Sequence, residues 1–308
     1  MRRLSNTCAS AAGSGLSLLR ERRDAVMEIL RECTLCPRKC GVNRIEGKVG
    51  YCGAGGLAKV AAFSVHHGEE PPISGTRGSG TVFFSHCNMA CLFCQNYPIS
   101  QMGVGDTLTA DEFGESLIRL ERKGVHNVNF VTPTPHVPQL IDGLLAAREK
   151  GFALPVVYNT NGYDSLETLS LLDGIVDIYL PDMKYRSEKL SDEASDTPDY
   201  PAQNAVAVDE MFRQVGPLSI GRDGIAMKGV LVRHLVLPGK TEETERVLSF
   251  LRMKYGKRVP ISLMGQYFPA HRAMDAPGLD RKLGAEEYER TVEAARKLGL
   301  TEVAIQEI

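Results

Sequence analysis

The sequence predicts an α/β chain folded as a partial, open-sided (β/α)6 barrel behind an amino-terminal cysteine-rich module. Three observations carry this expectation. From residue 109 onward, strand-like runs alternate with helical ones, which implies a parallel sheet with crossover helices. The units number about six, fewer than the eight that close a TIM barrel, so a TIM-like but open wall fits better. Every cysteine lies at or before Cys94, in two tight groups and a lone Cys8, which sets the first part of the chain apart from the rest.

Residues 1–17 form a Ser-, Ala- and Gly-rich head expected to be a disordered tail, the module covers 18–75 and the barrel 76–308. The head carries Arg2 and Arg3 but no apolar segment, so it does not read as a secretory signal, and its likeness to an organellar transit segment is faint. Residues 18–31 predict a helix with Leu19, Val26, Ile29 and Leu30 toward one side. Residues 33–56 are too rich in Gly and Cys for regular elements. Between 57 and 85, β-like runs flank the loop HHGEEPPISGTRGSG, whose Pro and Gly break any helix.

The helix at 109–123 opens on a Thr109–Glu112 capping box, carries the stripe Phe113, Leu117 and Leu120, and closes at Gly124. Then follow strand 125–131, helix 138–150, strand 154–160, helix 165–172 and strand 175–181. Asn127 and Asn129 share the face opposite Val128 and Phe130, which suits a solvated lumen. The polar stretch 185–201 is expected to be loop. Helix 203–215 precedes strand 229–237, and the next helix starts with Glu242 and Glu243 and ends near Lys254, as its dipole favours. Strand 259–264, helix 285–298 and strand 302–306 complete the chain.

Composition narrows the class. Hydrophobic residues at 43% and charged ones at 24% are globular values, which argues against bulk disorder. Thirty-six basic residues against 38 acidic ones argue against a basic grip on nucleic acid. No apolar run approaches the ~18–20 residues needed to span a membrane. Clustered, reduced cysteines without an export signal point to the cytoplasm.

Cys87, Cys91 and Cys94 have the spacing C-x3-C-x2-C, just after a strand-like run. Three thiolates on one loop can hold three corners of a cubane iron–sulfur cluster and leave the fourth iron open, whereas electron-transfer clusters take four cysteines. The bland alternative is a zinc knuckle with His86 as fourth ligand. Cys33, Cys36, Cys40 and Cys52 supply a complete four-sulfur shell, for structural zinc or an auxiliary [4Fe-4S] cluster. The crowded loop His66-His67-Gly68-Glu69-Glu70 reads as a solvated turn, or as substrate-binding or proton-transfer groups beside the cluster. His136, His234 and His271 are weaker candidates, and GTRGSG lacks the lysine of a phosphate loop.

CNMACLFCQNY resembles the cluster loop of the radical-SAM superfamily, and Phe93 before the last cysteine matches that family's habit. With CTLCPRKCGVNR, NFVTPTPHVPQ, IVDIYLPDMKY and VRHLVLPG, the likeness over about 33–308 is closest to the pyruvate formate-lyase activating enzymes and a subgroup of related iron–sulfur proteins. The resemblance implies a [4Fe-4S] cluster chelated by S-adenosylmethionine, and reductive cleavage to a 5′-deoxyadenosyl radical that abstracts hydrogen from a substrate. It also implies a one-electron donor such as flavodoxin or ferredoxin, and a glycyl-radical protein as substrate. A small molecule or peptide substrate, or a non-enzymatic two-cluster electron carrier, are the rival readings. Asp182-x-Lys184 looks like the Asp-x-Lys of the activating enzymes, and Arg233 matches their fifth-strand arginine. Two departures stand out: Tyr267 replaces a histidine, and Val131-Thr132-Pro133-Thr134 replaces a Gly-Gly-Glu that grips the cofactor. Thr132 and Asn161, at strand ends, join the expected cofactor contacts.

Overall fold

The computed structural model describes residues 6–306, with side chains from residue 15. Residues 1–5 of the head, and the side chain of Cys8, lie outside the described residues. Helix α1 (Asn6–Ile29) starts well before residue 18. It lays Leu19 and Val26 into the main core beside Leu144 and Leu145. The cysteine-rich loop that follows is closed on itself by Cys33 N–H to Val42 O and Gly41 N–H to Cys33 O, both at 3.1 Å.

Strand β1 (Ala58–His66) runs antiparallel to β2 (Ser79–Phe84). Between them, contrary to the sequence expectation of an unbroken loop, Pro71–Ser74 form a single helical turn, α2. Proline at a first-turn position lacks only an N–H that a helix start leaves unpaired anyway. After the cluster loop come α3 (Tyr97–Ser100), β3 (Asp106–Leu108) on the free edge of β1, and α4 (Ala110–Glu121) with the Thr109–Glu112 capping box formed.

The parallel wall is built from β2, β4 (Val128–Val131), β5 (Val156–Thr160) and β6 (Ile178–Pro181), linked by α5 (Val137–Glu149) and α6 (Leu166–Leu172). The stretch 185–201 is a correction: it holds α7 (Glu188–Ser195), capped by Ser187, and the start of α8 (Tyr200–Val215). Among its residues only Ser191, Ala194 and Ser195 turn inward on α7, so no apolar period marked it in the sequence. The expected strand at 229–237 divides. Strand β7 (Ser219–Ile220) pairs with β8 (Ala226–Val230), which pairs with β6, while β9 (Val232–Leu235) joins a second sheet. That sheet has β10 (Ile261–Met264) between β9 and β11 (Val303–Ile305), with α9 (Thr241–Tyr255) and α10 (Ala285–Lys297) covering it. An Asp182–Arg233 bridge joins β6 to β9, so β2, β4, β5, β6, β9 and β10 form the open-sided wall.

Alternation along the strands sorts the side chains. Val82, Phe84, Val128, Phe130, Val156 and Tyr158 enter the core under the helices. The opposite face is no solvated lumen: Asn127 and Asn129 are 2% and 0% exposed. Asn127 accepts from Ser79 and donates to the Ile73 carbonyl, and Ile73 packs against Val157, Ile178 and Leu180, so α2 plugs the barrel.

His136, fully buried, stacks on Phe84 at 5.0 Å and bonds the Ser85 carbonyl through Nε2 at 2.8 Å. A carbonyl partner makes Nε2 the protonated nitrogen of a neutral ring. Burial, seconded by Arg44, pushes its pKa down to about 3. The unfolded imidazole titrates near 6.5, so the stability this group contributes is complete above that pH and is lost as pH falls toward 3. Denaturant titrations of the wild type should lose up to about 1.4 kcal/mol per pH unit below pH 6 from this group. His136→Gln, which keeps a donor for Ser85, should flatten that slope; an unchanged slope would assign the acid sensitivity elsewhere.

Candidate active site

Cys87, Cys91 and Cys94 sit on the loop between β2 and α3, past the carboxyl end of the strand. The loop is docked on the end of α7 by Ala90 N–H to Ser195 O (3.2 Å) and Leu92 N–H to Ala194 O (2.9 Å). Each sulfur meets at least one polar side chain. Asn161 Nδ2 donates to Cys87 Sγ at 3.3 Å and Ser195 Oγ to Cys91 Sγ at 3.0 Å, while Ser100 Oγ lies 3.1 Å from Cys94 Sγ. Burial pushes the Cys87 thiol up to about 12, with Cys91 and Cys94 adding to the rise. Burial also raises Cys91, against the pull of Lys184. Buried thiols of this kind become ligands only when metal displaces their protons. The hydroxyl and amide donors are suited to the anionic sulfur that results.

The strand ends converge on a cavity of about 520 Å³ in front of these sulfurs. Thr132, Asn161, Asp182, Lys184 and Arg233 all line it. Lys184 Nζ bonds Asp182 Oδ2 at 2.6 Å, and Arg233 lies 3.3–3.6 Å from Glu69, Glu70 and Asp182. Ion pairing at the strand ends is therefore present, but it is incomplete. Glu70 Oε2, Asp182 Oδ1 and Arg233 Nε are buried with no hydrogen-bond partner. Such orphaned groups mark a place where a polar ligand is to be received. Burial raises Glu69 against the pull of Arg233. For Arg233 and Lys184 burial works the other way, yet the carboxylates outweigh it and both stay charged. Thr132 holds φ at 57°, a left-handed conformation costly for a β-branched residue, while its N–H bonds Asn159 O at 2.9 Å.

Two expected contacts do not reach the cavity. Phe93 is buried among Met89, Tyr163 and Tyr185 beneath the loop. Tyr267 packs on Phe93 with ring centroids 5.8 Å apart and donates its hydroxyl to Leu279 O at 2.6 Å; its neighbour Gln266 lines the cavity instead. Conversely, the loop after β1 is no solvated turn: His66 and Glu69 line the cavity, and Glu70 is 8% exposed. Ser100 and Ser195 carried no sequence signal, because their partners come from folding. His234 bonds Met183 O and Thr244 inside the fold, and His271 stacks on Tyr97 at 4.9 Å, so neither lines the site.

The four-cysteine loop stands behind the cluster loop. Cys33 and Cys36 are buried, Cys40 is exposed and Cys52 lies between these extremes. Burial pushes Cys36 up to about 12, and Cys52, Cys40 and Cys33 lie close enough to raise it further. Among the described residues, no group of three or more His, Cys, Asp or Glu is drawn in to the spacing of a single ion's shell, and this holds for both thiol sets.

The chain is 31% identical over 299 residues to the uncharacterised protein MJ0674 of Methanocaldococcus jannaschii, covering 92% of this chain and 80% of that one. It is 25% identical over 290 residues to MJ0808 of the same organism, covering 88% and 78%. A solved structure of Streptococcus suis SuiB bound to precursor peptide SuiA superposes with a TM-score of 0.47 at 13% identity. That match covers 72% of this chain but 46% of SuiB, so the chain spans about half the length of that structure. The family model described as Radical SAM superfamily matches residues 81–251, which include the three-cysteine loop and the strand ends facing it. With its thiols at the mouth of a partial parallel barrel, the chain belongs to the radical SAM superfamily.

Proposed function

We propose that the protein cleaves S-adenosylmethionine reductively at a [4Fe-4S] cluster held by Cys87, Cys91 and Cys94. The observation that carries this is three half-buried cysteines, each sulfur beside a polar side chain, facing a cavity whose ion-paired charges leave hydrogen-bonding positions unfilled. When bound, the cluster would supply one electron to the cofactor's sulfonium and so generate the 5′-deoxyadenosyl radical that takes hydrogen from a substrate. Lys184 and Arg233 provide cations for the cofactor's carboxylate, and Asp182 and Glu69 provide carboxylates for its ammonium. Glu69 takes the place of the glutamate that the Val131–Thr134 segment lacks. The buried walls keep water from the reacting centre.

The substrate we assign is a glycyl-radical protein, on the likeness of Asp182, Lys184 and Arg233 to the activating enzymes. Flavodoxin or ferredoxin in the cytoplasm would supply the electron. Anaerobic incubation with dithionite and S-adenosylmethionine should yield 5′-deoxyadenosine and methionine. Addition of the matching glycyl-radical protein should give a carbon-centred radical signal on that protein. Formation of 5′-deoxyadenosine with no radical on any such protein would shift the assignment to a small molecule or peptide, and none at all would leave an electron carrier.

A further inference from the structure

The barrel has a second cavity, of about 770 Å³, at the opposite end from the cluster loop. Its walls include Val259 and Pro260, just before β10, and Thr301 and Glu302, just before β11. The parallel strands therefore present this cavity at their amino ends and the thiol cavity at their carboxyl ends. Glu70, which caps α2, and Pro72 close its inner end, while Leu218, Leu231 and Val303 give it apolar sides. Phe212 and Tyr255, stacked with ring centroids 4.4 Å apart, brace the wall between α8 and α9. At the mouth Arg258 and Glu302 are exposed and lie 3.9 Å from each other, so each answers the other's charge.

One polar atom inside is left unanswered. Glu70 lines this cavity and not the thiol cavity, and its side chain is 6% exposed. Its Oε2 has no hydrogen-bond partner among the described residues, and no other residue of the lining has a buried side-chain atom in that state. Glu70 shares Arg233, 3.5 Å from its Oε1, with Glu69 and Asp182. Those two each have a further basic group: His66 stands 3.8 Å from Glu69, and Lys184 stands 2.6 Å from Asp182. Glu70 has no second one among the described residues. A carboxylate held out of water with an unfilled oxygen is costly, and a cation that donates a hydrogen bond to it removes that cost. The apolar sides restrict the form of the cation, because they favour a hydrocarbon body behind the charged end.

We propose that this second cavity binds a primary organic ammonium ion, its nitrogen on Glu70 Oε2 and its hydrocarbon chain along Leu218, Leu231 and Val303. The site does not rest on the function proposed above, and its test needs no cofactor cleavage. Calorimetric titration of the anaerobically purified protein with hexylammonium at pH 7.5, without S-adenosylmethionine, should show one saturable site. Butylammonium should bind about fifteenfold more weakly, since each of the two missing methylenes is worth about fourfold when buried. Hexan-1-ol, which lacks the charge, should bind about tenfold more weakly or worse. Glu70→Gln should weaken hexylammonium by about tenfold or more, whereas Asp182→Asn, on the thiol cavity, should change it by less than about threefold. Loss in Asp182→Asn that equals or exceeds the loss in Glu70→Gln would move the ammonium to the thiol cavity and overturn the site. Absence of saturable binding, or equal binding of the alcohol, would overturn it as well. Should Glu70→Gln not fold, a wild-type crystal soaked in hexylammonium decides the matter. Nitrogen within about 3.2 Å of Glu70 Oε2 would support the site, and nitrogen elsewhere or no bound molecule would refute it.

Discussion

Cys91→Ala should form no 5′-deoxyadenosine above background, a fall of about a thousandfold or more, as expected when one member of a unit that acts together is removed. Cys91 sits between its partners in the loop, its sulfur held by Ser195 and flanked by Lys184. Without that thiolate two corners remain, and a cubane does not persist on two. Cys87→Ala and Cys94→Ala should behave alike, each with loss of the matching visible chromophore. Ser195→Ala is the informative contrast: its hydroxyl tunes one sulfur without ligating, so the cluster should assemble and its reduction potential should move down. Normal 5′-deoxyadenosine formation by Cys91→Ala would remove the three-cysteine loop from the chemistry altogether.

Arg233→Met should cost about 3–5 kcal/mol of stability, the range for breaking a buried pair by deleting one partner. Arg233 is 15% exposed in its side chain and faces Glu69, Glu70 and Asp182, which are 9%, 6% and 18% exposed. Deleting the guanidinium strands Glu69 and Glu70 in a poorly solvated wall, while Asp182 keeps Lys184. The loss should depend on pH with a definite sign. Glu69 already titrates above its ordinary value in the folded protein, so the stability it contributes is complete below its unfolded pKa and is lost as pH rises through the folded one. Removing Arg233 raises Glu69 further, so the variant should approach wild-type stability as pH falls from 7.5 to 5.5. Urea titrations at both pH values measure this, and adding Glu69→Gln to the variant should recover part of the loss at pH 7.5. A deficit under 1 kcal/mol that ignores pH would place these groups in solvent rather than in the wall.

What the sequence made legible was local. The C-x3-C-x2-C spacing, the Thr109–Glu112 capping box and the alternation of β4, β5 and β6 are each written within a few residues. What it hid depends on partners distant in the chain. Glu69 and Glu70 look like a polar turn until β9 brings Arg233 against them, 164 residues away in the case of Glu69. Asn127 and Asn129 read as a wet face because nothing in β4 tells of the Ile73 plug. Helix α7 is polar and short, and its contribution, the Ser195 hydroxyl on Cys91, comes from the last residue of a segment without an apolar stripe. Tyr267 stands at the right offset along the chain but is turned toward Leu279, an orientation set by packing on Phe93 and not by spacing.

The split between β8 and β9 gives the barrel wall a seam, and the seam is stitched by the site itself. Asp182 and Arg233 form the bridge between the sheets, with Met183 N–H bonded to Arg233 O at 2.8 Å and Leu231 N–H to Tyr179 O at 3.0 Å. Two of the residues whose charges greet a ligand are therefore also those whose backbones join the two sheets. A molecule that satisfies Arg233 and Asp182 would touch both sheets at once, since the two residues stand on either side of the seam. A ligand bound by these groups should therefore raise the stability of the folded wall by mass action.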